Sequence, residues 1–229
     1  MAKEGVHELE LAGERVLLDP RRALVWPASS TVIIADPHIG KGDTFRRAGI
    51  PVPASAASAD FDRLSGLIDD HDADRLVVLG DFLHARPSDA DHSVDALYAW
   101  RSRFLTLEVV IVRGNHDAHA GPPPDTLGLA SVDEPFVDAP FVYRHFPSKA
   151  GDAYGDGFVL AGHLHPGVTV PLGGRSARRV SCFHRSRHQL VLPAFGGFTG
   201  TGRVVPHASD TIYVVGRDRV IPLPSPAMI

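Results

Sequence analysis

One cysteine, Cys182, stands alone in 229 residues, so no internal disulfide can form. A lone thiol agrees with a reducing compartment. Lysine is almost as scarce: only Lys3, Lys41 and Lys149 occur, so arginine supplies nearly all of the 23 basic side chains. Arginine favours planar, bidentate contacts with phosphate, although arginine richness also tracks genomic base composition. The chain lacks any apolar run near the ~18 residues that span a bilayer. Its start, Met1 to Glu10, is charged rather than signal-like. A cytoplasmic protein that does not engage membranes is the expectation. Positive charge is not in excess either: 27 acidic residues give a net charge of -4, which argues against a uniformly basic nucleic-acid binder. Low-complexity segments and internal repeats are missing. What the chain does have is 44% hydrophobic residues, enough for a core, and 13 histidines.

Residues 7 to 26 read as short strands, His7–Leu11, Arg15–Leu18 and Ala23–Trp26, punctuated by Gly13 and Asp19-Pro20. Three apolar, β-branched runs follow at Thr31–Ala35, Leu76–Leu79 and Val109–Val112. Phe61, Leu64, Leu67 and Ile68 recur at helical spacing, which predicts an amphipathic helix over Ser55–Asp70. A second is predicted over Ser88–Phe104. Between the first strand and the first helix, residues 40 to 49 carry four charges and three glycines and read as a loop. Alternating strands and helices argue for a sheet with parallel members and right-handed crossovers. After Gly121-Pro122-Pro123-Pro124 the segments are short and β-like, including Phe141–Phe146, Gly157–Ala161, Arg179–Phe183 and Thr211–Val215. A second sheet packed on the first is the economical solution, giving one α/β domain over residues 1–229.

Chemistry concentrates where strands end: Asp36-Pro37-His38, Gly80-Asp81, Gly114-Asn115-His116-Asp117 and Gly162-His163-Leu164-His165. Strand ends are where α/β proteins build sites, because loops converge there on rigid supports. Two divalent cations ~3.5 to 4 Å apart can clamp a phosphate and lower the pKa of a water between them. Such a pair needs one bridging carboxylate, further N and O ligands and an open face. Asp81, alone at a strand end, suits the bridge. Asp36 and His38 are two apart, so an extended backbone would point both the same way; His163 and His165 repeat that spacing. Asn115 offers a neutral oxygen, and His116 is left over as a proton donor. Asp117 is expected to orient His116 or a ligand from behind. An Asp/His/Asn set without thiolate suits Mn, Fe, Zn or Mg rather than a structural zinc. Any one of these motifs could be a polar turn; four in order, all at strand ends, are not explained that way.

These four motifs resemble the signature of the calcineurin-like metallophosphoesterases. The resemblance implies a four-layered αββα sandwich with one site at the sheet edges. It also implies that one metal takes Asp36, His38, Asp81 and His165, and the other Asp81, Asn115, His145 and His163, with His116 as general acid. The family's lone histidine must fall between Asp117 and His163, which leaves His119 and His145; the strand-His-x-Pro setting of His145 matches the family pattern better. A narrower likeness spans nearly the whole chain. Residues 36–41, Phe45 to Pro53, Gly80 to Arg86, Gly162 to Pro166, Cys182-Phe183 and Leu192 to Gly200 are similar to the ligase-associated DNA damage response phosphoesterases. This implies a bacterial phosphodiesterase and DNA endonuclease, manganese-preferring, acting on single-stranded or duplex DNA beside a DNA ligase and a helicase in repair. Pro37 and Ser181 stand where that group commonly has Leu and Pro. Too little chain follows residue 200 for a capping domain, so duplex handling would fall to the core, a partner or a homodimer.

Lys41, Arg46 and Arg47 follow the first motif and His84 and Arg86 the second; all five are candidates for holding substrate. Arg178, Arg179, Arg185 and Arg187 flank Cys182-Phe183 and read as a solvated strand edge. The competing enzyme reading is hydrolysis of a small nucleotide. A non-catalytic scaffold on this fold would show eroded ligands, whereas every position here is filled.

Overall fold

The computed structural model describes residues 4–53, 55–88, 91–149, 152, 157–173 and 176–223. Seven strands form the first sheet in sequence order: β1 (His7–Leu11), β2 (Glu14–Asp19), β3 (Ala23–Trp26), β4 (Thr31–Ala35), β5 (Arg75–Leu79), β6 (Glu108–Val112) and β7 (Ala130–Val132). From β1 to β4 the pairing is antiparallel; from β4 to β7 it is parallel, with Thr31 opposite Arg75 and Arg75 opposite Glu108. The C-terminal ends of β4, β5 and β6 therefore share one edge.

The second sheet holds β8 (Phe136–Asp138), β9 (Phe141–Tyr143), β10 (Phe158–Ala161), β11 (Pro166–Gly173), β12 (Ser176–Arg185), β13 (Gln189–Val191), β14 (Gly202–Arg203), β15 (Thr211–Val215) and β16 (Val220–Pro222). A bridge between Ala35 and Ala194 joins the two sheets at the site edge. Four α-helices, α1 (Lys41–Arg47), α2 (Ser55–Asp70), α3 (His92–Arg103) and α4 (Asn115–Ala120), and two short 3-10 turns, Pro27–Ser29 and Asp125–Leu127, complete the described elements.

Period-two alternation sorts the strand side chains into two cores. Val32, Ile34, Leu76, Val78, Val109 and Ile111 meet Phe61, Leu64, Leu67, Leu97 and Trp100 of α2 and α3. Ile33, Ala35, Val77, Leu79 and Val112 face Phe141, Tyr143, Leu160, Phe183 and Leu192 of the second sheet. The result is a mixed α/β sandwich of two facing sheets with flanking helices. Each fully buried Leu, Ile or Phe contributes about 1.5–3 kcal/mol, so the strands are fixed on both faces before the loops at their ends are asked to do anything. Among the described residues no helix is long and apolar enough to cross a membrane.

Two local expectations need correction. Residues 41–47 are a helix rather than a loop: buried Asp43 accepts the backbone N–H of Ser93 and pairs with Arg46, which pins the segment onto α3. The second helix starts at His92, because Ser88 N–H bonds the Asp91 carboxylate in a turn, with Asp91 as N-cap; positions 89–90 of the expected helix lie outside the described residues.

Candidate metal centre

All four motifs meet at the shared edge. Asp36, His38 and Asp81 are buried and follow β4 and β5; His145 is fully buried after β9; His163 and His165 bridge β10 and β11. Of three clusters of possible donor atoms among the described residues, one is His38/His84/His116, and two are sets that contain an aspartate, Asp36/His38/His165 and Asp81/His145/His163. In one, His38 Nε2 lies 3.4 Å from His165 Nε2 and 3.8 Å from Asp81 Oδ2, while His165 Nε2 lies 3.6 Å from Asp36 Oδ1. In the other, His145 Nε2 lies 2.9 Å from Asn115 Oδ1, 3.1 Å from His163 Nδ1 and 3.5 Å from Asp81 Oδ1. Ligand bonds of ~2.1 Å imply neighbouring donors ~3.0 Å apart in octahedral geometry and ~3.4 Å in tetrahedral geometry. The observed spacings fit a cation in each set. Asp81 presents one carboxylate oxygen to each.

Hydrogen bonding agrees with this fit. Asp36 Oδ1 is buried without a hydrogen-bond partner, although Oδ2 accepts the His163 N–H at 2.8 Å. A buried, unpaired carboxylate oxygen is costly unless a cation completes it. Facing imidazole nitrogens cannot satisfy one another when both are neutral acceptors. Burial, then the neighbouring charges of Lys41 and His165, push the His38 pKa far down; burial and the nearby His145 lower His163 as well. Both shifts favour the neutral form of these rings, the form that can ligate. His145 Nδ1 lies 3.3 Å from the Leu79 carbonyl, which can only accept, so Nδ1 carries the hydrogen and Nε2 is left for a metal.

The backbone reaches this arrangement by an unexpected route. Asp36 and His38 have φ of 50° and 47°, and His163 and His165 have 67° and 46°. These are left-handed residues, not the extended pairs expected from the sequence. Asp81, at φ 50°, is the fifth. Glycines clear the space: a Cβ on Gly114 would collide with the Asp81 carboxylate, and one on Gly80 with the His145 ring.

His116 donates its backbone N–H to Asp81 Oδ1 at 2.8 Å, and its ring Nδ1 lies 3.1 Å from the His84 carbonyl. That carbonyl can only accept, so Nδ1 carries the hydrogen and Nε2 is left free. Asp117 does not touch that ring. Its carboxylate instead accepts N–H groups from Gly114 (2.9 Å), Leu83 (3.0 Å) and Phe82 (3.3 Å), tying the Asn115 loop to the Asp81 loop. Of the two candidates for the lone histidine, His145 lies in the cluster; His119 is exposed and bonds the Asn115 carbonyl at 2.8 Å.

The five candidate substrate contacts divide. Lys41 is half-buried close enough to Asp36 and Asp81 for both carboxylates to raise its pKa against the larger lowering effect of burial. The His84 ring stacks on His116 with centroids 4.9 Å apart; burial, then Lys41 and His116, hold its pKa down at about 4. Arg46 and Arg47 are occupied within the fold, Arg46 by Asp43 and the Val52 and Pro53 carbonyls, Arg47 by Asp91 and Thr44. Arg86 is exposed and has no partner among the described residues.

Sequence reasoning missed Glu134. Its Oε2 accepts the backbone N–H groups of His145 (2.6 Å) and Phe146 (3.0 Å), and its Oε1 pairs with Arg144 at 3.0 Å. Nothing in the Asp133-Glu134-Pro135 stretch signals that task, since the partner lies eleven residues on.

Residues 29–193 match the family profile described as calcineurin-like phosphoesterase, well over half of the chain. The chain belongs to the calcineurin-like phosphoesterase family. Its fold is similar to the crystal structure of the Pseudomonas putida nuclease MPE, with a TM-score of 0.81 and 37% identity, covering 95% of this chain and 100% of that one. No curated protein matches the chain. As a calcineurin-like phosphoesterase the protein is a metal-dependent hydrolase of phosphoester bonds, and the His and Asp clusters at the sheet edge can hold the divalent ions this family uses.

Proposed function

We propose that the protein is a two-metal phosphodiesterase that cleaves DNA as an endonuclease. The observation that carries the two-metal reading is Asp81, whose two oxygens face separate ligand sets. Asp36, His38 and His165 complete one set, and Asn115, His145 and His163 the other. Two divalent cations, manganese in this proposal, would supply Lewis acidity at the phosphoryl oxygens and lower the pKa of the attacking water. The chain's own residues do the rest. Lys41 adds positive charge beside Asp36 and Asp81, where the phosphate must dock. His84 contacts the phosphate as a neutral hydrogen-bonding group, and Arg86 meets substrate from the rim. The His84 carbonyl holds His116 by Nδ1, and His116 Nε2 delivers a proton to the leaving alkoxide. Asp117 keeps the two ligand loops in register.

Support for nucleic acid as substrate comes from the likeness to the Pseudomonas nuclease over nearly the whole chain. The likeness to ligase-associated phosphoesterases supports a place in bacterial DNA repair, in the cytoplasm, beside a ligase and a helicase, with the chain acting as a homodimer. The test is a substrate panel with manganese-loaded protein: supercoiled plasmid, single-stranded DNA, and mono- and dinucleotides. Plasmid nicking and single-strand cleavage that outpace every small nucleotide are expected. Turnover confined to small nucleotides would overturn the nuclease reading.

A further inference from the structure

We propose that a six-arginine groove beside the metal centre holds the sugar–phosphate backbone of a DNA strand as it runs away from the scissile phosphate. This inference rests on the phosphodiesterase reading above. The groove is a cleft of about 780 Å³ lined by Arg21, Arg22, Arg63, Arg178, Arg179 and Arg217, with no Asp or Glu on its wall. In a chain of net charge -4, an acid-free cleft with six guanidiniums is a local inversion of charge. Carboxylates behind the wall answer only part of it: Asp19 and Asp70 pair with Arg21, and Asp60 pairs with Arg63. Arg22 forms no ion pair among the described residues, and neither do the exposed Arg178, Arg179 and Arg217. Burial lowers the Arg63 pKa; Asp60 opposes this and the adjacent Arg22 charge adds to it. An anion in the cleft would relieve that repulsion.

Position links the groove to the chemistry. The segment after β13 crosses from one to the other: Phe195 N–H bonds the Ala35 carbonyl at 2.7 Å, Gly196 N–H the Asp36 carbonyl at 3.3 Å, and Gly202 N–H the His165 carbonyl at 2.8 Å. Its residues Thr199 to Thr201 line the groove. Arg22 and Arg63 grip the same segment from the other side, through the carbonyls of Ala194, Gly196 and Phe195. Arg179 pairs across β12 with Thr169, four residues beyond His165, so the groove wall lies about 13 Å along the strand from that ligand. That distance suits a phosphate about two steps along a polymeric strand from the scissile one. Guanidinium binds phosphodiester oxygens bidentately, without regard to base sequence.

The sequence reading of Arg178 and Arg179 as solvated edge supplies the control. Both sit on β12, and Arg185 and Arg187 lie at or just past its far end, outside the groove. Arg178→Glu/Arg179→Glu is compared with Arg185→Glu/Arg187→Glu in the full-length, manganese-loaded chain. DNA binding is read with calcium in place of manganese across a salt series, and turnover is read on DNA and on bis(p-nitrophenyl) phosphate. The groove variant is expected to bind DNA at least about tenfold more weakly, with the log–log salt slope reduced by roughly 1.5–2, while its diester turnover stays within about twofold. The control variant is expected to bind DNA much as wild type does. Equal loss in both variants, or no loss in the groove variant, would overturn the inference. Groove-dependent binding without DNA cleavage would uphold the groove and defeat the nuclease reading. Wild-type protein that turns over the small diester but does not bind DNA would defeat the groove and leave a two-metal centre for small substrates.

Discussion

Asp36, His38, Asp81, His163 and His165 all adopt left-handed φ, between 46° and 67°. Each such non-glycine residue costs on the order of 1–3 kcal/mol, so the surrounding packing holds these side chains aimed inward at an energetic cost. Two residues in this neighbourhood have separable tasks. His116 is next to the candidate ligand Asn115 but outside both proposed sets. If it protonates the leaving group, His116→Ala should keep its metal content and lose roughly 10²–10⁴ in kcat on DNA. An aryl ester such as a p-nitrophenyl diester leaves without a proton, and its loss should be much smaller. Equal losses on both substrates would instead make His116 a phosphate-positioning group. The paired test of His145 and His119 reads ligation directly. His145→Ala should lose about half of the bound metal and nearly all activity; His119→Ala, exposed and bonded only to its own helix, should lose neither. The reverse result would reassign the ligand.

Among the elements, the three parallel strands do the placing and Asp117 couples two of their loops. Replacing Asp117 by Ala leaves the N–H groups of Gly114, Phe82 and Leu83 without their acceptor. Each unsatisfied buried donor costs about 1–3 kcal/mol. Urea unfolding of metal-stripped Asp117→Ala should therefore show a clearly lower midpoint with an unchanged slope; an unchanged midpoint would mean the carboxylate is not carrying those bonds. Strands and long helices were legible because continuous apolar, β-branched runs survive in Thr31–Ala35 and Arg75–Leu79 and helical spacing survives in Ser55–Asp70. Helix α1 was not, since Gly40-Lys41-Gly42-Asp43 carries loop composition and the helix is held by a tertiary contact from Asp43 to Ser93. That the motif residues would meet at one sheet edge was legible from motif order, but their backbone was not: Asp36 and His38 are left-handed where the sequence suggested an extended pair. Glu134 was illegible because its backbone partners lie eleven and twelve residues on, and Arg22 because the Ala194 and Gly196 carbonyls it holds are distant in sequence.

Across the whole molecule, the candidate centre sits between two sheets that also meet through apolar side chains, the Ala35–Ala194 bridge and the Arg75–Asp138 ion pair. Asp36, Asp81 and Asn115 come from the first sheet's edge, and His145, His163 and His165 from the second. Ions held there bind the folded chain and not the unfolded one. At a free concentration a hundred times Kd, each adds about 2.7 kcal/mol. Chelation should lower Tm by on the order of 10 °C for a chain of this size, and calorimetry that shows no shift would argue against ions bridging the sheets. The most direct measurement of the central claim is metal content per chain by elemental analysis, in wild type and in Asp81→Asn. Two ions per wild-type chain are predicted, with both weakened together by Asp81→Asn, because one carboxylate serves both. A fully loaded wild type with one ion, or an Asp81→Asn variant that retains two at full affinity, would contradict the shared-carboxylate centre.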